Sequence, residues 1–368
     1  MTRDPINVWS YLEQYFEEEE EILEIVKNVF RSGNLILGEN VSMFEKEFSS
    51  YIESSFGIGV GNGTDAIQLA LKATGIKKGD EVITVSNTAV PTVAAIVETG
   101  GTPVFCDIDE ETYNISIEKL EEMITEKTKA IICVHLYGHP AEVADIKNIC
   151  DEKNIVLIED CAQSHGSKIN NKKCGSFGDI SAFSFYPTKI LGTLGDGGMC
   201  VTSNENYFKK LKMLRKYGME DQYFSLIDGV NSRLDEVHAA ILRYKLKNID
   251  NDINRRREIA ELYTEGLKDT ELILPIEKEN SFHSYYLYVV RHPKRDEILN
   301  KLSELNINLN ISYPWPIHTM PPYENYKRGD LSTTERVTKE IFSLPMYPGL
   351  SNDKVNEVIK SIKKLILN

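Results

Sequence analysis

Long hydrophobic runs are what this 368-residue sequence most clearly lacks. No apolar stretch approaches the roughly 20 residues of a membrane-spanning helix. The first residues, Met1–Pro5, are soon followed by five glutamates at Glu17–Glu21. This start has neither the basic segment nor the apolar core of a secretion signal. We therefore expect a cytoplasmic protein that makes no contact with a membrane.

Positive charge and paired cysteines are also scarce. The formal net charge is −14, whereas a nucleic-acid partner would require clustered positive charge. The six cysteines contain no Cys-x-x-Cys pair, which argues against a zinc ribbon or a disulfide framework. His135 and His139 are four residues apart, but Tyr137-Gly138 between them indicates a loop at a strand end. We expect no nucleic acid and no metal.

What the sequence does contain is a regular alternation of short β-branched runs and helical segments. This pattern predicts βαβ units and an α/β fold with a mostly parallel sheet. Strands are expected at Phe56–Val60, Glu81–Val85, Pro103–Cys106, Ala130–His135, Val156–Glu159, Ile180–Phe185 and Met199–Ser203. Helices between them are expected at Asp65–Ala73, Val90–Thr99, Ile117–Met123 and Ala141–Lys153.

The length exceeds what one hydrophobic core usually serves, so two domains are expected. After Arg233 a helical pattern runs to about Leu267, with a break near Asn248–Asn251. Beyond it the elements are shorter and include a predicted strand at Ser284–Arg291. We predict a large domain over residues 1–245 and a smaller C-terminal α+β domain over 246–368. The N-terminal helix is a candidate to pack with the smaller domain.

A glycine-rich turn directly after the first predicted strand opens a helix at Gly61–Ala66. Glycines let the backbone approach an anion, and a helix N-terminus offers free N–H groups, so this segment predicts a phosphate site. It also matches the G-x-G-x-x-A dinucleotide pattern, which leaves an NAD(P)-dependent oxidoreductase as an alternative. However, Glu81 begins a strand, whereas the ribose-binding acid of such enzymes lies at a strand's end.

Two further residues carry reactive side chains. The strand ending near Glu159 delivers Asp160 at its carboxyl end, where a carboxylate can keep the pyridinium nitrogen of pyridoxal phosphate protonated. An aspartate there could equally cap the following turn. Lys189 lies in an apolar, aromatic stretch before Gly195–Gly198, and burial favours the neutral amine that a Schiff base requires. Ser184 is spaced to offer its hydroxyl to the same phosphate.

The ordered set of these motifs resembles the DegT/DnrJ/EryC1/StrS family of pyridoxal-phosphate-dependent sugar aminotransferases over nearly the whole chain. The segments that carry the resemblance are Gly63–Ala66, Glu159–Gln163, Ser184–Lys189, Gly195–Gly198, Asn231–Glu236 and Tyr313–His318. The resemblance implies a type I aminotransferase fold, the cofactor pyridoxal phosphate, and a homodimer with active sites at the subunit interface.

The resemblance also assigns roles to residues. Lys189 is expected to bind the cofactor covalently, Asp160 to pair with its ring nitrogen, and Gln163 to contact its ring hydroxyl. The expected phosphate ligands are Gly63, Thr64, Ser184 and, from the neighbouring subunit, Asn231. Two residues of a proline-rich loop, Tyr313 and His318, are candidates for substrate contacts.

One position departs from the family pattern and bears on the substrate. Many members stack an aromatic residue on the cofactor ring where this chain has Ala89, so Asn87 or Thr88 is a candidate to cover the ring. Together with Arg215–Gly218, this segment is similar to the branch that converts dTDP-3-keto-6-deoxyhexoses into 3-amino-3,6-dideoxyhexoses, with L-glutamate as the expected donor.

Other functions remain open at this stage. A 4-keto-sugar aminotransferase is an alternative to the 3-amino branch. A sugar dehydratase with the same cofactor is less favoured, because such relatives replace the lysine by histidine and Lys189 is retained. A non-catalytic regulatory protein is a third possibility.

Overall fold

The computed structural model describes residues 4–221 and 223–366. Its α-helices are α1 Leu12–Ser32, α2 Glu39–Tyr51, α3 Gly63–Thr74, α4 Val90–Glu98, α5 Ile117–Met123, α6 Val143–Lys153, α7 Glu205–Leu214, α8 Glu236–Leu246, α9 Ile249–Leu267, α10 Arg295–Glu304, α11 Ser332–Glu340 and α12 Asn352–Ile366. Short 3₁₀ helices lie at Leu136–Gly138, Ile317–Thr319 and Glu324–Tyr326.

The strands are β1 Ile6–Asn7, β2 Phe56–Val60, β3 Glu81–Val85, β4 Thr102–Cys106, β5 Thr128–Val134, β6 Val156–Asp160, β7 Lys168–Ile169, β8 Lys172–Lys173, β9 Ile180–Ser184, β10 Gly198–Thr202, β11 Met219–Asp221, β12 Phe224–Ser225, β13 Ser281–Phe282, β14 Tyr288–Arg291, β15 Ile307–Asn308 and β16 Ile341–Leu344. The predicted elements of the sheet region are all present, with ends that differ by at most two residues.

The largest sheet within the described ranges has seven strands in the order β2-β10-β9-β6-β5-β3-β4. The neighbouring pairs β3–β4, β3–β5, β5–β6 and β6–β9 are parallel. Strand β10 is antiparallel to both β2 and β9, so β2 points the same way as the parallel strands. Six strands therefore present their carboxyl ends at one edge, and the predicted α/β fold with a mostly parallel sheet is confirmed.

One predicted strand is shorter than expected, because only Tyr288–Arg291 of the segment Ser284–Arg291 is extended. The residues before it are bound to a loop: Ser284 N–H donates to the Gly138 carbonyl at 3.1 Å, and Leu287 N–H donates to the Tyr137 carbonyl at 3.1 Å. Tyr285 between them has a φ of 48°, in the left-handed region that strands do not use.

Buried side chains form separate apolar clusters. The sheet and its covering helices share one cluster, and Phe44 and Phe48 of α2 lie in a second with Ile249 and Ile253 of α9. A third cluster runs from Ile259 to Ile362 and includes Ile6 near the N-terminus. Strand β1 pairs with β15, whereas α1 packs along α8. The boundary near residue 245 stays a prediction.

Among the helices of the described residues, none combines the length and the apolar character needed to cross a membrane.

Candidate active site

The loops after the carboxyl ends of β2, β3, β6 and β9 surround a cavity of about 300 Å³. Ligands of open α/β sheets bind at this edge. The structure brings six of the predicted site residues to the cavity wall, namely Gly63, Thr64, Asp160, Gln163, Ser184 and Lys189. Residues far apart in the sequence thus share one pocket.

The start of α3 forms an anion-binding corner of this cavity. Asn62 caps the helix, because its Oδ1 accepts the Asp65 N–H at 2.8 Å. The N–H groups of Gly63 and Thr64, at the first two helical positions, have no partner inside the helix. A Cβ at Gly63 would lie 2.7 Å from the Cβ of Ser184, so only glycine lets the Ser184 hydroxyl come this close. Two N–H groups, a hydroxyl and the helix dipole thus favour a phosphate here.

Asp160 is a buried carboxylate that accepts hydrogen bonds but, among the described residues, has no cation within 4.0 Å. Its Oδ2 accepts the Thr92 hydroxyl at 2.8 Å, and its Oδ1 accepts the Ala162 N–H at 3.2 Å. Burial raises the pKa of Asp160, although these two hydrogen bonds oppose the shift. A protonated ring nitrogen beside Asp160 would supply the missing counter-charge.

Gln163 is held at both ends of its amide group. Its Oε1 accepts the Tyr137 N–H at 2.8 Å, and its Nε2 donates to the Tyr313 hydroxyl at 2.9 Å. Since an amide nitrogen carries two N–H groups, one remains to donate to a ligand. Tyr313 lies behind Gln163 and outside the cavity wall, so the structure gives it an orienting contact to Gln163. Burial raises the pKa of the Tyr313 hydroxyl, which keeps it protonated.

Lys189 is half-buried and presents its amine to an aromatic ring. Its Nζ lies 4.7 Å from the centre of the Tyr286 ring. The Tyr286 hydroxyl lies 3.1 Å from the Oγ1 of Thr188, the residue before the lysine. Within residues 4–221 and 223–366, the lysine amine forms no ion pair, although Asp160 attracts it over a longer distance. The amine is therefore free to react with a ligand in the cavity.

Besides Tyr313, two predicted site residues lie outside the cavity wall. Asn231 is exposed in the loop before α8, and its neighbour Ser232 contacts Gly61 and Asp65 of the same chain. His318 is buried away from the cavity, where Ser86 and Glu335 engage its two ring nitrogens at 2.7 and 3.1 Å. The structure therefore does not bring His318 to a position where it could contact a substrate in this cavity.

The segment around Ala89 forms one wall of the cavity. Thr88 and Ala89 line it, whereas Asn87 is buried outside the wall. The Thr88 hydroxyl lies 3.2 Å from the Thr92 hydroxyl, which in turn binds Asp160. Of the two residues predicted to cover a cofactor ring, Thr88 is thus the one at the cavity.

Sequence reasoning assigned no role to Thr92 or Tyr286. Thr92 follows Ala89 by one helical turn, a spacing that could have placed it at the same wall as Thr88. Tyr286 carried no such signal, because it approaches Lys189 from a different part of the chain.

The opposite side of β6 holds a closed polar network. Ligand atoms of His135, Glu159 and Cys161 lie within 4.8 Å of one another. The Glu159 oxygens accept the Ser181 hydroxyl, the His135 Nε2–H at 3.0 Å, and the N–H groups of Gly175, Phe177 and Gly178. His139 binds the Pro140 carbonyl through Nδ1 and the Lys278 N–H through Nε2. These histidines therefore have structural roles.

The dinucleotide alternative fails on the position of Glu81. This residue begins β3, at the edge of the sheet opposite the cavity. Its carboxylate binds Arg328 at 2.6 Å and the Thr125 hydroxyl at 2.7 Å. It cannot reach a ribose placed at the start of α3.

Comparison with known proteins gives one consistent family. A model of the DegT/DnrJ/EryC1/StrS aminotransferase family matches residues 17–363. The dTDP-3-amino-3,4,6-trideoxy-alpha-D-glucose transaminase of Micromonospora megalomicea subsp. nigra is 46% identical over 367 residues, 98% of each chain.

Two solved structures support the same family. DesV of S. venezuelae, in complex with a ketimine intermediate, has a TM-score of 0.96 and 35% identity and covers 99% of each chain. NtdA of Bacillus subtilis, with the bound cofactor PMP, has a TM-score of 0.92 and 29% identity over 100% of this chain and 86% of that one.

Proposed function

Because the chain belongs to the DegT/DnrJ/EryC1/StrS aminotransferase family, we propose that it transfers an amino group from L-glutamate to a nucleotide-linked keto-deoxysugar. The enzyme is an aminotransferase and its cofactor is pyridoxal phosphate, as the sequence predicts. The observation that carries the proposal is the meeting of Lys189, Asp160 and the anion-binding start of α3 in one cavity.

The cavity residues fit the groups of this cofactor. The N–H groups of Gly63 and Thr64 and the Ser184 hydroxyl suit its phosphate. Asp160, a buried carboxylate without a cation, suits the protonated ring nitrogen, and Lys189 supplies the amine that binds the aldehyde.

In the proposed reaction Lys189 has two tasks, since it binds the aldehyde and later moves a proton, whereas Asp160 and Gln163 have one each. When bound, the cofactor supplies an electron sink that stabilises negative charge on the amino-bearing carbon. Once released from the aldehyde carbon, Lys189 Nζ would move a proton between the amino-bearing carbon and that aldehyde carbon, and the second half-reaction would run the same transfer in reverse. Asp160 keeps the ring nitrogen protonated, and Gln163 donates its remaining N–H to the ring hydroxyl oxygen.

For the acceptor we propose a dTDP-3-keto-6-deoxyhexose, which would become a dTDP-3-amino-3,6-dideoxyhexose. The Micromonospora relative supports a dTDP-linked sugar aminated at carbon 3. Its own sugar is a 3,4,6-trideoxy compound, so acceptors with and without the 4-hydroxyl must be compared. We also propose that the protein is cytoplasmic, as the sequence leads us to expect.

We also propose a homodimer with shared active sites. The hairpin β11–β12 and its flanks expose several large apolar side chains, namely Tyr217, Tyr223, Phe224 and Leu226. Asn231 lies exposed just after this segment and outside its own cavity, as expected for a residue that serves the neighbouring subunit. Light scattering would measure the assembly. Recovery of activity on mixing Lys189→Ala with Asn231→Asp subunits would support sharing, and a monomer would contradict it.

The experiment that tests the function is an absorption spectrum of the purified protein before and after L-glutamate. A visible band that bleaches with L-glutamate, and that is missing in Lys189→Ala, is expected. Keto-sugar nucleotides are then screened for recovery of the band, with dTDP-3-keto and 4-keto sugars compared side by side. A protein that stays colourless with added pyridoxal phosphate would overturn the proposal, and NAD(P) binding would be measured next.

A further inference from the structure

An aromatic ring faces the reactive amine from outside the segment that carries it. Tyr286 is only 8% exposed, and its ring centre lies 4.7 Å from Lys189 Nζ. A lysine ammonium within about 6 Å of a ring centre is attracted by the ring's negative face. Within the part of the chain that the structure describes, the Lys189 amine forms no ion pair, and Asp160 attracts it only through a longer-range interaction, so the ring is the group that contacts it directly.

The main chain around Tyr286 is fixed to the loop that also orients Gln163. The Ser284 N–H and the Leu287 N–H donate to the carbonyls of Gly138 and Tyr137. Gly138 has a φ of +98°, and a Cβ there would lie 2.8 Å from the Tyr286 nitrogen, so the two segments can meet only at a glycine. The ring position is therefore set by the same loop that holds the cavity wall.

A buried arginine fixes the other side of this segment. Arg256 of α9 donates through Nη1 to the carbonyls of Tyr286 at 3.2 Å and Met346 at 3.1 Å. Burial lowers the pKa of Arg256 to about 10, which still leaves it charged at neutral pH. Charged donors make stronger hydrogen bonds than neutral ones. Tyr286 is thus held from both sides before any ligand binds.

We propose that Tyr286 is a positioning residue for Lys189: its ring face holds the released side chain beside the cavity, most strongly once the amine has taken up the substrate's proton, and its hydroxyl fixes Thr188. The inference rests on the proposed function, because it concerns the stage at which the lysine is released from the cofactor. At that stage the amine must stay within reach of the carbon whose proton it moves. A flexible four-carbon side chain without such a contact would sample many other positions.

The test compares two substitutions with a matched control. Tyr286→Phe keeps the ring and removes the hydroxyl, whereas Tyr286→Leu removes both. Tyr288→Phe is the control, because its hydroxyl binds Thr264 at 2.9 Å in the same way but lies in the C-terminal cluster. For each protein, saturated with pyridoxal phosphate, the rate constant and the KM for L-glutamate are obtained from single-turnover bleaching.

Tyr286→Leu is expected to lose about 3- to 30-fold in the rate constant at saturating L-glutamate, with little change in KM. Tyr286→Phe should stay within about threefold of the original protein. A second measurement does not depend on turnover: in protein loaded with pyridoxamine phosphate, trace acetylation of Lys189 is followed by mass spectrometry. It should be about threefold faster in Tyr286→Leu, because the ring no longer covers the amine and holds it in place.

If Tyr286→Leu had the same rate constant and the same acetylation rate as the unsubstituted protein, the inference would be overturned. Equal losses in Tyr286→Phe and Tyr286→Leu would also overturn it, since the ring face would then have no role. These outcomes are separate from failure of the proposed function. In that case the unsubstituted protein itself would bind no cofactor or would not bleach with L-glutamate.

Discussion

Two neighbouring carboxylates at the end of β6 lie on opposite faces of the sheet and differ in their hydrogen bonds and in the direction of their pKa shifts. Glu159, fully buried on one side, accepts donors from His135, Ser181 and a backbone loop. Burial alone would raise its pKa, but these donors lower it. Asp160, on the cavity side, accepts two hydrogen bonds and keeps a raised pKa because of burial.

The difference shows how a structural carboxylate is distinguished from a ligand-binding one. A buried charge is tolerated when several donors satisfy it and is costly when they do not. The hydrogen-bonding capacity of Glu159 is satisfied by groups of the protein itself, and its bonds attach the Gly175–Gly178 loop to the sheet. Asp160 forms no ion pair with any residue that the structure describes, and the cavity beside it can hold a cation. Four tests would break or sharpen this comparison.

The largest effect is expected on the cavity side from Lys189→Ala. Removing the amine should lower turnover by at least about 10²–10⁴-fold, the usual contribution of a placed proton-transfer group, and should also remove the covalent link to the cofactor. Steady-state turnover and the visible spectrum check this. Lys212→Ala, at an exposed position on α7, is the control. Unchanged turnover in Lys189→Ala would remove this residue from the mechanism.

The second test substitutes the two neighbours. Glu159→Gln should lower the free energy of unfolding by roughly 3–5 kcal/mol, because it breaks a buried charged network. Asp160→Asn should leave stability without cofactor equal or higher, since the native state binds that carboxylate's proton more tightly than the unfolded state does. It should nevertheless lose turnover. Denaturant unfolding and turnover of both variants decide the matter, and equal destabilisation would contradict the comparison.

A smaller effect is expected from Thr92→Val, which removes one of the two donors to Asp160. A hydrogen bond to a charged group contributes about 1.5–3 kcal/mol, so cofactor affinity or turnover should fall at least about tenfold. Thr99→Val is the control, because that hydroxyl donates to carbonyls at the far end of α4. If cofactor affinity and turnover were the same in both variants, the contact between Thr92 and Asp160 would have no functional role.

The smallest effect concerns a buried group outside both networks. His165 packs among the rings of Phe48, Phe183 and Phe185, and burial lowers its pKa to about 3. The unfolded chain therefore binds this proton below pH 6.5 while the native state does not, so stability falls as the pH drops from about 6.5 towards 3.

In His165→Phe the free energy of unfolding should decrease less steeply with falling pH, by up to about 1.4 kcal/mol per pH unit. Unfolding in denaturant at several pH values between 4 and 8 measures it. Above pH 7 the two curves should run parallel, because the imidazole is neutral in both states. Identical slopes below pH 6 would show that His165 is not held neutral.

Much of the fold could be predicted because its signals are local. Short apolar runs, the glycine-rich turn before α3 and the break before α9 are visible in the sequence, and the elements lie within two residues of the predictions. The strand predicted at Ser284–Arg291 was too long, because hydrogen bonds to the distant Gly138 override the β-branched pattern. No local signal could reveal that contact.

The candidate site was also predictable only in part. The ordered motifs and the family resemblance that they carry indicated the cofactor and singled out Lys189 and Asp160, which the fold brings to one cavity. The partners of these residues, Tyr286 and Thr92, carry no motif and were not found. His318 was named from its loop, but the fold turns it towards Ser86 and Glu335.

The class of chemistry could therefore be predicted from the amino-acid sequence, because a glycine-rich helix start, an aspartate and a lysine, in this order and within the motifs of a known family, suit few cofactors. Only the folded chain shows that the protein satisfies the hydrogen bonds of one of two adjacent carboxylates, Glu159, and leaves the other, Asp160, available to a ligand. Successive side chains of a strand point to opposite faces, and the donors that reach each face come from loops distant in sequence. Folding placed five donors around Glu159 and left a cavity beside Asp160.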